Sequence, residues 1–399
     1  MIPPRDTTPM PDRREPARTA GVSGEHAARW APSRSRDTSP APGDETGGCV
    51  ITPDIDPDVP PDEPAQPAER RAITDDEIAH SHDVVTRLTD AFDSKVVGQS
   101  RLRTCLLVAM LAEGHILLES VPGLAKTTAA STIAGAVNAS FARIQCTPDL
   151  LPSDIIGTQV YDPTTATFST RLGPVHANFV LLDEINRSSA KTQSAMLEAM
   201  QERQTSIGGQ MYPLPELFMV LATQNPIEEE GTYILPEAQM DRFLLKEVID
   251  YPSADEEFEV LNRIDRGVLG AHAPDQPSVV DTADVMFLID LASRVYVDDA
   301  VKRYAVAITQ ATRRAGSIID PDLAAYIDFG ASPRGAIALQ QVGRVLALLS
   351  GRTYAVPDDV RTLCHPVLRH RIHLGFQAIA DGVQVETIID ALFAAVASP

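Results

Sequence analysis

The segment best suited to hold phosphate is Ser120-Val121-Pro122-Gly123-Leu124-Ala125-Lys126-Thr127-Thr128, which precedes a run of small residues. It follows the pattern Gly-x-x-x-x-Gly-Lys-Ser/Thr, with Ser120 and Ala125 in the places of the two glycines. In such a loop, main-chain N–H groups and a helix N-terminus surround phosphate, Lys126 adds charge near the outer phosphates and the Thr127 hydroxyl binds Mg²⁺. Taken alone, this motif leaves a chance match open.

Two carboxylates end a second apolar run. Phe179-Val180-Leu181-Leu182 is typical of a buried strand, and Asp183 and Glu184 follow it directly. Hydrolysis of a nucleoside triphosphate needs one acid to hold Mg²⁺ and a neighbour to orient or deprotonate water. Asp183 suits the first role and Glu184 the second, the alternative being a strand that ends on solvated acids. Because parallel strands end at one sheet edge, the acids and the phosphate loop would meet there and together indicate nucleotide hydrolysis.

A third polar group follows another apolar run. Residues 218–222 are apolar, and Thr223-Gln224-Asn225-Pro226 comes next. The Asn225 amide could contact the γ-phosphate or the attacking water and so report hydrolysis. The alternative is an asparagine in an ordinary turn before proline.

The elements that position these groups alternate along the chain. Short apolar runs typical of buried strands occur at 114–119, 141–146, 178–182, 218–222 and 243–249, and helical patterns separate most of them. This alternation predicts an α/β fold with a five-stranded parallel sheet flanked by helices. A helix should begin after Thr74, which has capping-box spacing with Glu77, and run to about Lys95. From about residue 282 the pattern is helical throughout.

Composition limits the function classes. Residues 1–70 contain fourteen of the 31 prolines in the 399-residue chain, which predicts a disordered N-terminal tail over 1–72, followed by domains at 73–275 and 276–399. A net charge of -21 argues against nucleic acid as the main partner. No apolar run is long enough for membrane insertion and no signal peptide is evident, so we expect a cytoplasmic protein.

With these motifs in order, the sequence closely resembles the MoxR family of AAA+ ATPases. The segments that carry the resemblance are Val97-Gly98-Gln99, Val121-Pro122-Gly123-Leu124-Ala125-Lys126-Thr127, Asp183-Glu184-Ile185-Asn186-Arg187, Ala222-Thr223-Gln224-Asn225-Pro226, Gly231-Thr232-Tyr233, Leu235-Pro236-Glu237-Ala238-Gln239 and Asp241-Arg242-Phe243. The family usually has alanine before the loop lysine, as here, whereas Ser120 departs from its usual glycine. The resemblance implies an AAA+ P-loop core followed by a small all-α lid domain.

The resemblance also implies residue roles. ATP and Mg²⁺ would be the cofactors, with an adenine pocket around Val97, Gly98 and Gln99, and Asn225 would be the sensor. Arg242 looks like the arginine finger that reaches the ATP of an adjacent subunit, which in NTPases has a large effect on rate. Arg334, in Gly330-Ala331-Ser332-Pro333-Arg334-Gly335, resembles a second sensor that faces the γ-phosphate. Arg187 either faces the site or forms a structural ion pair.

At the level of function, the resemblance implies a homo-oligomeric ring, with six subunits as the family expectation, that remodels or matures a client protein. Proteins with a von Willebrand A domain are frequent partners in the family. Three alternatives stay open: a nucleotide-binding switch with little turnover, a chelatase-type motor subunit and a nucleic-acid motor. Measured turnover, tetrapyrrole-binding partners and stimulation by DNA would distinguish them.

Overall fold

The structure is a computed structural model that describes residues 71–121, 123–226, 233, 235–270 and 277–399. The predicted tail lies outside the described residues except for its last two positions. So do Pro122 of the phosphate loop, Gly231 and Thr232. The predicted domain boundary at 275/276 also falls outside them and stays a prediction.

The strands number consecutively through the described residues. They are β1 (Ile116–Glu119), β2 (Phe141–Gln145), β3 (Gly157–Asp162), β4 (Thr167–Leu172), β5 (Phe179–Asp183), β6 (Gln204–Ile207), β7 (Gln210–Pro213), β8 (Met219–Gln224), β9 (Leu245–Val248), β10 (Ile327–Phe329) and β11 (His373–Leu374). Five of them form the main sheet in the order β2-β5-β8-β1-β9, with every pair parallel. The predicted five-stranded parallel sheet is therefore confirmed.

Helices cover both faces of this sheet. They are α1 (Asp75–Lys95), α2 (Ser100–Leu111), α3 (Lys126–Ala136), α4 (Pro152–Ile156), α5 (Ala190–Glu202), α6 (Glu237–Met240), α7 (Ala254–Asp265), α8 (Thr282–Arg294), α9 (Asp299–Arg313), α10 (Pro321–Ala324), α11 (Pro333–Leu349), α12 (Pro357–Thr362), α13 (Cys364–Leu368), α14 (Phe376–Asp381) and α15 (Val385–Ala395). No helix in these parts of the chain is long and apolar enough to cross a bilayer.

Helix α1 begins where the sequence predicts. The Thr74 hydroxyl accepts from the Glu77 N–H at 3.2 Å, and the Glu77 carboxylate accepts from the Thr74 N–H at 2.9 Å. Reciprocal capping of this kind satisfies two N–H groups that a helix start otherwise leaves open. Glu77 also pairs with Arg294 at 2.8 Å, which ties this helix start to α8.

The strand pattern sends alternate side chains to two cores. Phe179 and Leu181 of β5 join the larger cluster, with the helices of one face and of the C-terminal region, whereas Val180 and Leu182 join a second cluster on the other face. Successive strand residues point to opposite faces, so a continuous apolar run lets a strand bury both. Full burial of each such side chain contributes about 2 kcal/mol.

Two hairpins project from the sheet connections. Strands β3 and β4 pair antiparallel, with Tyr161 opposite Phe168. The β6–β7 hairpin was not predicted. Its signal was the Gly208-Gly209 pair, whose φ angles of 59° and 81° suit a two-residue hairpin turn.

The C-terminal region (residues 277–399, called the lid here) is helical, as predicted, with one addition. Strands β10 and β11 form a short antiparallel ribbon. Strands of three and two residues are too brief for a period-two pattern, so the ribbon could not be predicted from local sequence. Within the described residues, α11 packs against α1 and α2, and α13 packs against β9.

Candidate nucleotide site

The phosphate loop joins the end of β1 to the start of α3. Gly123 has a φ of 90° and Ala125 a φ of 53°, and α3 begins at Lys126. The first turn of a helix directs main-chain N–H groups outward along its axis, and no side chain of Ala125 caps them. The Lys126 ammonium donates to the Ser120 carbonyl at 3.2 Å, which holds it over the loop.

Of the two departures from glycine, Ala125 carries the backbone strain and Ser120 does not. Ala125 adopts the left-handed conformation, which costs an L-residue about 1–2 kcal/mol. Ser120 is buried, its hydroxyl donates to the Val121 carbonyl at 3.1 Å, and its N–H donates to Gln224 of β8 at 3.2 Å. A serine is thus accommodated at position 120 without a positive φ.

Three motifs lie at the edge where the parallel strands end, called the carboxyl edge here. Strand β8 lies between β1 and β5, so the phosphate loop and Asp183 are two strand spacings apart, about 10 Å. Asn225 is buried and follows β8, between the other two motifs. The sheet order therefore brings the sequence-predicted groups together.

Thr223 connects the two acids. Its hydroxyl donates to Asp183 at 2.8 Å and accepts the main-chain N–H of Glu184 at 2.8 Å. The other Asp183 oxygen accepts from Arg143 of β2, at 2.5 Å from Nη2. Thr223 and Arg143 were not predicted to have a role, because their contacts depend on which strands are neighbours.

Glu184 sits directly after β5 in a constrained conformation. Its φ is 58°, in the left-handed region, and the strain of such a residue is characteristic of functional sites. Its carboxylate accepts from Gln145 at 3.2 Å and pairs with Arg187 at 3.1 Å. Arg187 therefore contacts the candidate base directly. It both lies at the site and forms an ion pair, so the two alternatives for this residue are not exclusive.

A cavity of about 680 Å³ opens beside the loop, a volume typical of sites for small molecules and cofactors. Its lining includes Val97, Gln99, Gly123, Leu124, Ala125 and Thr128 of the predicted set. Gly98 does not line it. There, a φ of 72° favours glycine, and an added Cβ would lie 2.2 Å from the Glu256 side chain. Lys126 and Thr127 directly adjoin the lining residues Ala125 and Thr128, and Val121 lies two positions before Gly123.

Helix α7 forms a wall of this cavity that the sequence analysis missed. Val260, Leu261 and Ile264 line the cavity, and Leu261 is 60% exposed. Helix α7 has no buried residue. A signal was present in its Ser253 capping box and in apolar residues at helical spacing, but the pattern alone does not say what the apolar side covers.

The two predicted arginines lie at the opposite, amino edge of the sheet. Arg242 is exposed and donates to the Leu197 carbonyl of α5 at 3.1 Å. Arg334, at the start of α11, pairs with Asp241 at 3.5 Å. Both line one cavity of about 310 Å³ with Gly114 and His115, which precede β1. Since β1 separates His115 from Ser120, this edge is about 15 Å from the phosphate loop.

The expectation that Arg334 faces the γ-phosphate stays a prediction. The structure does not bring it to the cavity of its own chain. The physical reason is how the lid docks: the N-terminus of α11 is held against Asp241, just before β9, through the Ser332 hydroxyl at 2.8 Å. Lid docking is a long-range contact that the local motif cannot specify.

Comparison with known proteins agrees with this arrangement. The family model for the ATPase family associated with various cellular activities (AAA) matches residues 115–245, and that for the AAA lid domain matches residues 322–392. Chaperone MoxR1 of Mycobacterium tuberculosis is 47% identical over 304 residues, 76% of this chain and 79% of that protein. Protein MoxR of Paracoccus denitrificans is 32% identical over 332 residues, 77% of this chain and 94% of that protein.

The chain belongs to the MoxR family of AAA+ ATPases. A solved structure of a candidate ATPase from Cytophaga hutchinsonii has 40% identity and a TM-score of 0.76, and the match covers 81% of this chain and 97% of that one. The AAA match spans the carboxyl edge and extends to Arg242, and the lid match includes Arg334.

The residues present fit the Mg²⁺ and ATP that an AAA+ family implies. Asp183 offers a carboxylate held in place by Thr223, and Thr127 offers a hydroxyl in the first turn of α3. Oxygen donors of these kinds are those that Mg²⁺ prefers beside substrate phosphates. Arg143 neutralises one Asp183 oxygen from an exposed side chain, so the buried carboxylate is compensated in this structure.

Proposed function

We propose that this chain binds ATP with Mg²⁺ in the 680 Å³ cavity and hydrolyses it as a ring of identical subunits. The observation that carries the proposal is the division of groups between the sheet edges. The phosphate loop, Asp183 and Glu184 share the carboxyl edge, whereas Arg242 and Arg334 lie exposed at the other. A heterologous contact between copies would place the arginines of one chain at the phosphates of the next.

In this mechanism each residue has a physical task. Glu184 accepts a proton from water while the water oxygen attacks the γ-phosphorus. The bond from that phosphorus to the bridging oxygen breaks, and ADP leaves with the electron pair. Lys126 stabilises charge on the phosphates, Asn225 contacts the γ-phosphate or the water, and Arg242 of a neighbouring copy stabilises the transferring group. Thr127 and Asp183 would hold Mg²⁺, which would supply charge to neutralise the phosphate oxygens.

We further propose that hydrolysis is used to remodel or mature a client protein in the cytoplasm. The name Chaperone MoxR1 of the relative in Mycobacterium tuberculosis supports this proposal. Six subunits and a partner with a von Willebrand A domain are part of it, on the strength of the family. The formal charge of -21 favours a protein client over nucleic acid.

Steady-state ATP hydrolysis across a range of protein concentrations tests the proposal. Activity per subunit should rise with concentration, because the shared site forms only on assembly. Glu184→Gln should lower it at least about 100-fold, within the range expected for loss of a general base, without loss of ATP binding. Glu216→Gln changes an exposed carboxylate at the amino edge and should leave the rate unchanged.

If the wild type turns over no faster than Glu184→Gln, the chain is a nucleotide-binding switch and the motor proposal fails. If activity per subunit does not change with concentration over a range in which the chain goes from monomer to oligomer, the proposal of a shared site is wrong. Stimulation by DNA would instead indicate a nucleic-acid motor, and activity only with tetrapyrrole-binding partners would indicate a chelatase-type subunit.

A further inference from the structure

Asp241 is the point where the segment before β9 meets the lid. Its Oδ2 accepts from the Ser332 hydroxyl at 2.8 Å and from Arg334 at 3.5 Å. Its Oδ1 accepts from Arg371 Nε at 2.9 Å. Asp241 also directly precedes Arg242 in the chain. One carboxylate therefore touches two arginines from distant parts of the sequence and adjoins a third in the chain.

Arg371 is the buried member of this group, with a side chain 3% exposed. Its guanidinium donates to the main-chain carbonyls of Phe243 at 2.7 Å and Leu244 at 3.1 Å, and also to that of Val367. These contacts join the C-terminal end of α13 to the chain that enters β9. Arg371 thus fixes the lid against the segment that contains Arg242.

The protein buries this charge at a cost. Burial lowers the pKa of Arg371 to about 10, and the Asp241 carboxylate opposes that shift. Arg371 is therefore still a cation at neutral pH. Taking an ion pair out of water is seldom the most stable way to join two elements, because an apolar contact can do it without the desolvation penalty. A role in positioning, beyond stability, would explain why the pair lies beside the exposed side chains of Arg242 and Arg334.

We propose that Asp241 and Arg371 form a clamp that positions Arg242 and Arg334 on one surface for use by the ATP site of a neighbouring copy. Arg371 fixes the direction of the Asp241 carboxylate, and Asp241 fixes the start of α11 through Ser332 and Arg334. Both are positioning residues, since neither needs to touch the nucleotide. The inference rests on the proposed sharing of sites between copies.

The charge balance among Asp241, Arg242, Arg334 and Arg371 supports this role. Asp241 is the one carboxylate in contact with Arg334 and Arg371 in the described structure, and Arg242 adjoins it. The group therefore keeps a net positive charge while its members are held at fixed positions. A misplacement of about 1 Å in such a group can cost about 100-fold in rate.

Mixtures of variants test the clamp in the full chain. Arg242→Ala has an intact pocket and no finger, and Glu184→Gln has an inactive pocket and intact arginines, so their mixture should regain ATP hydrolysis. Adding Asp241→Asn to the Glu184→Gln chain should lower this regained activity about 10- to 100-fold. The single variant Asp241→Asn, mixed with Glu184→Gln, should be as active as the reference mixture, because its own pocket is unaffected.

Asp359→Asn in the Glu184→Gln chain is the matched control. It removes a buried acid that pairs with a lid arginine, Arg352, at 2.5 Å, and it lies away from Asp241. This control should restore activity fully. Arg371→Lys in the Glu184→Gln chain should act like Asp241→Asn, since an ammonium cannot reach the same set of acceptors as a planar guanidinium.

Each outcome decides the inference. Full rescue by the chain with both Glu184→Gln and Asp241→Asn would overturn the clamp. Loss of activity when Asp241→Asn supplies the pocket would also overturn it, because Asp241 would then act on folding or on its own site. If the reference mixture itself stays inactive, the proposed sharing of sites between copies is wrong. The clamp, which rests on that sharing, is then wrong as well.

Discussion

The two edges of the parallel sheet carry different kinds of functional group. At the carboxyl edge, the phosphate loop, Asp183, Glu184 and Asn225 each follow directly from the end of a strand. At the amino edge, Asp241, Arg242, Arg334 and Arg371 come together only because the lid docks beside β9. The carboxyl edge has the groups proposed to bind phosphate and activate water, and the amino edge has exposed cations. Under the proposed function, neither edge of one chain holds a complete hydrolytic site.

The largest expected effects separate binding from turnover. Lys126→Ala and Arg242→Ala should each reduce ATP hydrolysis about 1000-fold, because each removes a cation from the transferring phosphoryl group. Only Lys126→Ala should also weaken binding of a fluorescent ATP analogue by the isolated chain. Arg303→Ala, which changes an exposed lid arginine, is the control. Equal loss of binding in Arg242→Ala would place Arg242 in its own pocket.

Acid should lower the free energy of unfolding through His115, which lies at the amino edge. His115 accepts the Val220 N–H at 3.1 Å, and burial lowers its pKa from 6.5 to about 4. Between these two pKa values the unfolded chain binds a proton at His115 and the folded chain does not. The contribution of His115 to stability is therefore complete above pH 6.5 and is lost as the pH falls towards 4. The loss is about 3 kcal/mol for this group.

Urea unfolding between pH 7.5 and 4 measures this loss. In His115→Gln the slope of the free energy of unfolding against pH should be smaller, by the equivalent of about one bound proton. An unchanged pH slope in His115→Gln would contradict the assignment. Burial also lowers the pKa of His370, which acts in the same direction.

Thr223 should matter for turnover at the carboxyl edge alone. Thr223→Val keeps the side-chain shape but removes the hydroxyl that joins Asp183 to Glu184. Leaving their hydrogen-bonding groups without this partner should cost about 1–3 kcal/mol. We expect kcat to fall about 10- to 100-fold, while ATP affinity in the isolated chain changes little. Thr223→Ser keeps the hydroxyl and should retain most activity. Similar rates in Thr223→Val and the wild type would show that the bridge has no role.

The smallest expected effect concerns Ala125. Glycine adopts the left-handed conformation without the Cβ penalty but has more freedom when unfolded, so the two terms nearly cancel. Ala125→Gly should raise the free energy of unfolding by about 0.5 kcal/mol. Ala125→Val should lower it, since branched residues tolerate a positive φ poorly. Chemical denaturation with bound nucleotide absent measures both, and stabilisation by valine would contradict the strain.

The same contrast explains how much the sequence could predict. The parallel sheet and the groups of the carboxyl edge follow from local patterns, because a motif after a strand is placed by that strand. Thr223 and Arg143 could not be assigned, since their partners depend on strand order. The place of Arg334 depends on lid docking, which involves residues more than a hundred positions apart in some pairs, such as Asp241 and Arg371.

The proposed function requires that a complete site take its carboxyl edge from one chain and its arginines from another. The most direct test is ATP hydrolysis by an equimolar mixture of Glu184→Gln and Arg242→Ala, each of which should be inactive alone. We predict that mixing restores a substantial fraction of wild-type activity. A mixture no more active than its components, at concentrations where the wild type assembles and hydrolyses ATP, would contradict the claim.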